Sequence, residues 1–255
     1  MGYYDLTPDE RRRTSQEIYD QTKESFRIQD DSPLLNLFND PDTYIRKAAY
    51  LATGRIFFQE KEIWQNILNS LNRLFQSAHH HVRQTVINAA GEIAKKDFAL
   101  VKQLFDSGLF DDHHTVRNAV IGSIKKSGEV NPIPVLEFAK QYLHHPDKEI
   151  RREICHGIEL RGRKYPEDIL PLLRELQHDS TSRVRKTLVH VLGQIAYKQG
   201  CLETVIHDLN HWDNRTLVGE AIDEIIDVHH RYRNFSFYSQ EEARSIIIKL
   251  TKSRG

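Results

Sequence analysis

One short phrase returns five times along the chain: Tyr44-Ile45-Arg46-Lys47, His81-Val82-Arg83-Gln84, Thr115-Val116-Arg117-Asn118, Glu149-Ile150-Arg151-Arg152 and Arg183-Val184-Arg185-Lys186. Its arginines are 37, 34, 34 and 34 residues apart. A fixed period in the thirties, with helical patterning inside each unit, describes supersecondary units that cannot bury their apolar faces alone and therefore stack on their neighbours. The expected fold is all-α, a right-handed α-α superhelix of about six helix pairs with atypical terminal helices.

Within each unit, apolar residues recur one before the arginine and three, four and seven after it. They are Val82, Val86, Ile87 and Ala90 in the second unit, and Val116, Val120, Ile121 and Ile124 in the third. The fourth has Ile150, Ile154, Cys155 and Ile158, and the fifth Val184, Leu188, Val189 and Leu192. That spacing predicts one apolar stripe on a helix, here the B helix, and all four positions should be buried. A second amphipathic segment, the A helix, precedes each B helix, as in Ile63-Trp64, Ile67-Leu68, Leu71 and Leu74-Phe75.

Punctuation supports the same pairs. Asn131-Pro132 opens an A helix. Gly128 and Gly162, eleven residues after their arginines, read as glycines that end B helices, which would excuse Arg161 from burial. Gly54, Gly91 and Gly193, eight residues after theirs, would let neighbouring helices approach closely. Residues 1–31 form an N-terminal capping helix, opened by the capping box Thr7-Pro8-Asp9-Glu10 and running to about residue 28. The repeat array occupies 32–230, with a sixth unit in which Val218 replaces the arginine. Residues 231–255 form a C-terminal loop and capping helix, the latter opened by Ser239-Gln240-Glu241-Glu242.

Composition narrows the class. With 12 Gly, 8 Pro and 39% hydrophobic residues, the chain belongs with ordered helical proteins. It contains no apolar run of about 18 residues, so no membrane span is expected. The start, Met1-Gly2-Tyr3-Tyr4-Asp5-Leu6, is too polar for a secretory signal, and Leu6 stands where myristoylation requires Ser or Thr. Cys155 and Cys201 make neither a disulfide framework nor a metal spacing, and Cys155 falls in a core slot. A cytoplasmic monomer is the expectation.

Asp42-Thr43-Tyr44-Ile45-Arg46 followed by Gly54-Arg55-Ile56 resembles the HEAT repeat, in the short form also seen in phycobilisome-lyase-like proteins. Asp147-Lys148-Glu149-Ile150-Arg151 matches its first half, whereas His79 and Thr181 replace the aspartate in units two and five. The resemblance spans roughly residues 32–230 and implies a binding scaffold whose B helices line the concave side. It also implies that Arg46, Arg83, Arg117, Arg151 and Arg185 are a structural ladder, pairing with carboxylates and carbonyls of neighbouring repeats. A weaker likeness, in Val184-Arg185-Lys186 with Leu192-Gly193-Gln194-Ile195-Ala196, runs to the HEAT-like alkylation-repair DNA glycosylases. Those enzymes use a cleft with paired aromatics and a carboxylate, and here Trp64 and Trp212 lie on A segments of distant repeats.

The whole chain is neutral, with 36 basic and 36 acidic residues, yet the five B segments hold 18 basic and 5 acidic residues. Their excess of +13 falls to +8 once the ladder arginines are set aside. Such a stripe attracts phosphates or acidic peptides. The expected macromolecule-binding residues are Lys47, Arg55, Lys126, Arg152, His156, Arg163, Lys186 and His190, the two histidines sharing one slot of adjacent repeats. Phe58 and Tyr197 are the aromatic candidates for a protein ligand. Histidines also gather at the A–B turns (His79-His80-His81, His113-His114, His144-His145, His178 and His211), where stacking brings them to one edge. No cysteine accompanies them, so neither a metal nor any other cofactor is expected; a pH-sensitive edge is the other reading. No nucleophile elbow, phosphate-cradling glycine loop or His-Glu-x-x-His occurs, so catalytic residues are not expected. The function read from the sequence is a non-catalytic scaffold gripping an acidic macromolecule, protein segment or nucleic acid, on a basic concave face. The alternative is a DNA-binding protein or glycosylase of the alkylation-repair type.

Overall fold

The computed structural model describes residues 3–252, and its regular structure is helical, with no strand among the described residues. Met1 and Gly2, where the segment read as neither signal nor acylation site begins, lie outside them, as do residues 253–255. The chain divides into two compact units at Ser127/Gly128.

The first unit holds α1 (Pro8–Ile28), α2 (Ser32–Phe38), α3 (Thr43–Gln59), α4 (Trp64–Leu74), α5 (His80–Gly108) and most of α6 (His114–Val130). The capping box forms reciprocally: Glu10 N donates to Thr7 Oγ1 at 3.3 Å, and Thr7 N donates to the Glu10 carboxylate at 2.7 Å. Two otherwise unpaired amides are thereby satisfied. The helix ends at Gln29, whose φ of 59° turns the chain back. α5 joins a B helix to the next A helix across Asp97, whose φ of −124° and ψ of 67° leave the helical region. α1 packs on α2, α3 and α4, and α3 packs on α5.

The second unit holds α7 (Pro132–Tyr142), α8 (Lys148–Gly157), α9 (Glu159–Gly162), α10 (Pro166–Glu175), α11 (Ser182–Ala196), α12 (Leu202–Leu209), α13 (Arg215–Arg231) and α14 (Gln240–Lys252). Pro132 occupies the first turn of α7, where a missing amide costs nothing. The B helices α8, α11 and α13 lie side by side, and the A helices α10 and α12 pack on each other. α14 closes on α12 and α13 behind a second capping box: Glu242 N donates to Ser239 Oγ at 3.2 Å, and Ser239 N to the Glu242 carboxylate at 2.8 Å.

The stripe positions of repeats two, three and four are buried as expected. In repeat five, Val184, Leu188 and Leu192 are buried, but Val189 is only half-buried, because it borders an open cleft toward α13; Val191 is fully buried instead. In repeat one, Ile45 and Tyr50 are also half-buried.

The glycines divide differently from expectation. Gly128 lies inside α6 and Gly162 closes α9, and neither adopts a positive φ; among the described residues only Gly200 does so as glycine, at 75°. Close approach explains Gly162 instead. A Cβ there would stand 2.3 Å from Ile169 Cδ1 and 2.9 Å from Ile195 Cγ2. The same holds where it was expected: a Cβ on Gly54 would meet Glu92, on Gly91 Ser123, and on Gly193 Glu224, each within 2.8 Å. The fourth B helix also breaks at Ile158, between α8 and α9, which the apolar spacing does not signal.

Ile154→Ala and Leu188→Ala should each cost about 2–5 kcal/mol in urea unfolding, the range for emptying a packed site, and Val189→Ala clearly less. Gly162→Ala should destabilise by about 1–3 kcal/mol through overpacking. Gly219→Ala, with nothing within 4 Å of the added methyl, should be neutral or stabilising by up to about 1 kcal/mol. Equal effects of the two alanines in the same unfolding assay would contradict this packing.

Candidate functional site

The ladder arginines bend back over their own A–B turns. Arg46, Arg83, Arg117 and Arg151 donate through Nη1 to the carbonyl six residues earlier, at 2.5, 2.9, 2.6 and 2.7 Å, and Arg185 does the same to Asp179 O. The side chain of that sixth-preceding residue accepts the amide two residues further on in every repeat. The acceptors are Asp40, Ser77, Asp111, His145 and Asp179. Where it is an aspartate of the following repeat, it also takes the arginine of the repeat before. Arg83 binds Asp111 through Nε and Nη2 at 2.7 and 2.8 Å, and Arg151 binds Asp179 at 2.5 and 3.1 Å. The carbonyls therefore belong to the arginine's own turn and only the carboxylates to a neighbouring repeat. Asp42 and Asp147, the aspartates of the sequence motif, cap their helices by accepting from Tyr44 N and Glu149 N, each at 2.8 Å. Burial pushes the Asp179 carboxyl up, but the Arg151 guanidinium and the Thr181 amide outweigh it and hold it below the ordinary carboxylate value.

The expected binding residues fall into separate groups. Lys47, Arg55 and Lys126 are exposed on the first unit, with Arg55 5.6 Å from the Tyr19 ring. On the second unit, Arg152, His156, Lys186 and His190 converge with Arg183 and Thr187 on one cleft of about 320 Å³ between α8 and α11. Arg163 lies below it, its Nη2 bound to Glu159 Oε1 at 2.5 Å and Gln194 Oε1 at 3.0 Å.

Acidic residues of the fourth repeat interleave with these cations. Arg152 pairs with Glu149 at 2.9 Å and approaches Glu153 at 3.4 Å, and Arg183 lies 3.3 Å from Glu149. His156 Nε2 stands 3.1 Å from Glu159 Oε2, and the His156 and His190 rings are 6.0 Å apart. Burial pushes the His190 imidazole below its usual pKa; His156 and Arg231 act the same way, while Glu159 and Glu224 oppose them. Glu153 and Glu159 are 5% and 2% exposed. Glu159 is the candidate site residue that sequence reasoning missed, and a signal existed: it occupies the slot that holds Gly54, Gly91 and Gly193 in other repeats. Across α11 the surface becomes mixed in charge, where Glu220, Glu224, Asp227 and Arg231 of α13 line the adjoining cleft with Lys186 and His190.

The aromatic candidates separate. Tyr197 is 4% exposed and stacks on Tyr232 at 5.4 Å, so it is a core residue and offers no groove contact. Phe58 borders an apolar pocket of about 260 Å³ on the first unit with Phe57, Trp64 and Leu100. Trp212 is fully buried in the second unit, its Nε1 donating to Asp208 at 2.7 Å, and so cannot stack on a base. Turn histidines do meet at one edge of the first unit, His80 stacking on His113 at 3.7 Å. Both cysteines are free and buried, and burial lifts the Cys201 thiol to about 11, far from thiolate chemistry.

Residues 135–222 match the family model for HEAT repeats. Among solved structures, the MAST/Orbit N-terminal domain aligns at 15% identity over 76% of this chain and 95% of its own, with a TM-score of 0.51. The archaeal HEAT-like repeats protein from Thermococcus onnurineus NA1 aligns at 13% identity over 84% of this chain and 97% of its own, with a TM-score of 0.40. A computationally designed armadillo repeat protein for modular peptide recognition aligns at 16% identity over 76% and 97%, with a TM-score of 0.35. No curated protein matches the chain. These likenesses concern the fold.

Arg151→Ala should cost about 3–5 kcal/mol because it leaves the buried Asp179 carboxylate without its guanidinium. Lys126→Ala, at an exposed site, should stay within about 0.5 kcal/mol. Because the folded-state pKa of Asp179 is depressed, its contribution is present above the ordinary value of 3.8 and lost as pH falls through the folded value. The stability difference between wild type and Asp179→Asn should therefore shrink below about pH 4 in a pH series of urea melts.

Proposed function

We propose that this chain, in which residues 135–222 match the family model for HEAT repeats and stacked helices present side chains along a surface, is a non-catalytic binding scaffold. Its ligand is a short acidic protein segment, docked in the cleft between α8 and α11. The observation that carries this reading is the lining of that cleft: Arg152, Arg183, Lys186, His156, His190 and Thr187, with no carboxylate among them. The cations differ in role. Arg152 is held by Glu149 and Glu153, which fixes its guanidinium but spends part of its charge. Arg183 and Lys186 are exposed; Arg183 shares Glu149 with Arg152 at 3.3 Å, and Lys186 supplies the larger part of the attraction.

A protein segment fits better than a nucleic acid because the positive surface is short. A phosphate backbone carries charge continuously and binds through many cations in a row. Past α11 the run of cations is interrupted by Glu220, Glu224 and Asp227, and Arg231 in the same cleft is paired with two of them. A few carboxylates on a flexible segment need only the local patch. Lys47, Arg55 and Lys126 stand as candidate contacts on the first unit. A monomer in the cytoplasm is the setting that suits this role.

Fluorescence anisotropy with a labelled Glu/Asp-rich peptide, its Gln/Asn counterpart, and single-stranded and duplex oligonucleotides tests the reading at low and moderate salt. The acidic peptide should bind best and weaken with salt. The double variant Arg183→Glu, Lys186→Glu should lower its affinity by about tenfold or more, equivalent to about 1.4 kcal/mol. Equal binding of the neutral peptide, or no effect of charge reversal, refutes the cleft as the docking site. Tighter binding of an oligonucleotide would install nucleic acid as the ligand, and base release from alkylated DNA would make the protein an enzyme.

A further inference from the structure

We propose that His156, Glu159 and His190 form a binding site for a divalent transition-metal ion, with zinc the favoured occupant. One ligand atom from each of the three lies within 4.8 Å of the others. Two come from one stretch of chain, His156 near the end of α8 and Glu159 at the start of α9, and the third from α11. The break between α8 and α9 keeps Ile158 close to helical backbone, with φ −91° and ψ −2°, so a three-residue spacing still places both side chains on one face.

The donor set is chemically coherent. Two imidazoles and one carboxylate suit zinc and its borderline neighbours better than magnesium or calcium, which take oxygen ligands. Three protein ligands also leave zinc a further position for water or an anionic group. The carboxylate is already oriented. Arg163 holds Glu159 Oε1 at 2.5 Å and is itself tied to Gln194, while the other oxygen, Oε2, faces His156 at 3.1 Å. Outer contacts of this kind fix a ligand's direction and tune its affinity. Access also fits: the Glu159 side chain is 2% exposed, whereas those of His156 and His190 are 37% and 44% exposed and line the cleft.

The sequence sets this slot apart. Units one, two and five keep glycine at the slot of Glu159, where helices touch. In the fourth repeat a buried carboxylate stands there, with Arg163 compensating it at Oε1 while Oε2 is turned to the histidine side.

The test uses the tag-free 255-residue chain, stripped with a chelator and dialysed. Zinc chloride is titrated calorimetrically with magnesium chloride as the control, and cobalt(II) is added in parallel to report coordination through its visible absorption. Expected is a single zinc ion per chain, little heat with magnesium, and an intense cobalt spectrum of low coordination number. His156→Ala and His190→Ala, both at partly exposed positions that should leave the melting temperature near wild type, should each weaken zinc binding about tenfold or more. Lys186→Glu should retain zinc uptake. No uptake by the wild type overturns the proposal, as does uptake that survives both histidine variants or disappears with His80→Ala and His113→Ala at the turn edge. The titration contains no peptide, so its failure and that of the docking reading are separately visible.

Discussion

Five repeats are held at the same point by the same contact: an arginine at the start of the B helix donating to a carbonyl in the turn that precedes it. The turn between two antiparallel helices leaves carbonyls at the end of the first helix and amides at the start of the second without partners. One guanidinium covers the carbonyls, and the side chain six residues before it covers an amide. The angle between A and B helices is thereby restrained by hydrogen bonds as well as by packing. The apolar stripe can then meet its neighbours in one register, and stacking becomes a repetition of a single solved geometry.

The second unit shows how such a scaffold acquires chemistry without changing fold. Slots of the B helix that carry no structural duty are free to vary, and in repeats four and five they hold arginine, lysine and histidine. The fourth repeat goes further and buries Glu153 and Glu159 behind them. Glu153 and Glu159 stand against Arg152 and His156, so part of the cleft lining is oriented while Arg183 and Lys186 stay exposed. Orientation of this kind reduces the entropy lost when a ligand binds.

Much of this was legible in advance because period and polarity are local properties. Val82, Ile121, Ile154 and Leu188 reveal themselves by spacing alone, and the capping boxes at Thr7 and Ser239 by residue type. The convergence of Arg152, His156, Lys186 and His190 also followed from register, since equivalent slots of adjacent repeats are neighbours. What escaped was set by tertiary contact. Val189 looks identical to Val86 or Val120 in the pattern, but it borders a cleft. Gly162 looks like a helix terminator, and only the proximity of Ile169 and Ile195 shows that it is a packing residue. Tyr197 looks like a surface aromatic until Tyr232 covers it. Charge counting, too, sums residues without seeing that Glu149 and Glu159 stand against the very cations counted.

The turn carboxylates are distributed unevenly, so the junctions inside each unit are not built alike. Asp111 ties repeat two to repeat three, and Asp179 ties repeat four to repeat five. Ser77 stands at the equivalent place after repeat one, where its hydroxyl serves its own turn and carries no charge for Arg46. In a one-dimensional stack, global stability is a sum over units and junctions. The first repeat is joined to the second by packing instead, α3 lying along α5 with Gly54 against Glu92. One motif is thus joined to its neighbour by charge in some places and by shape alone in another.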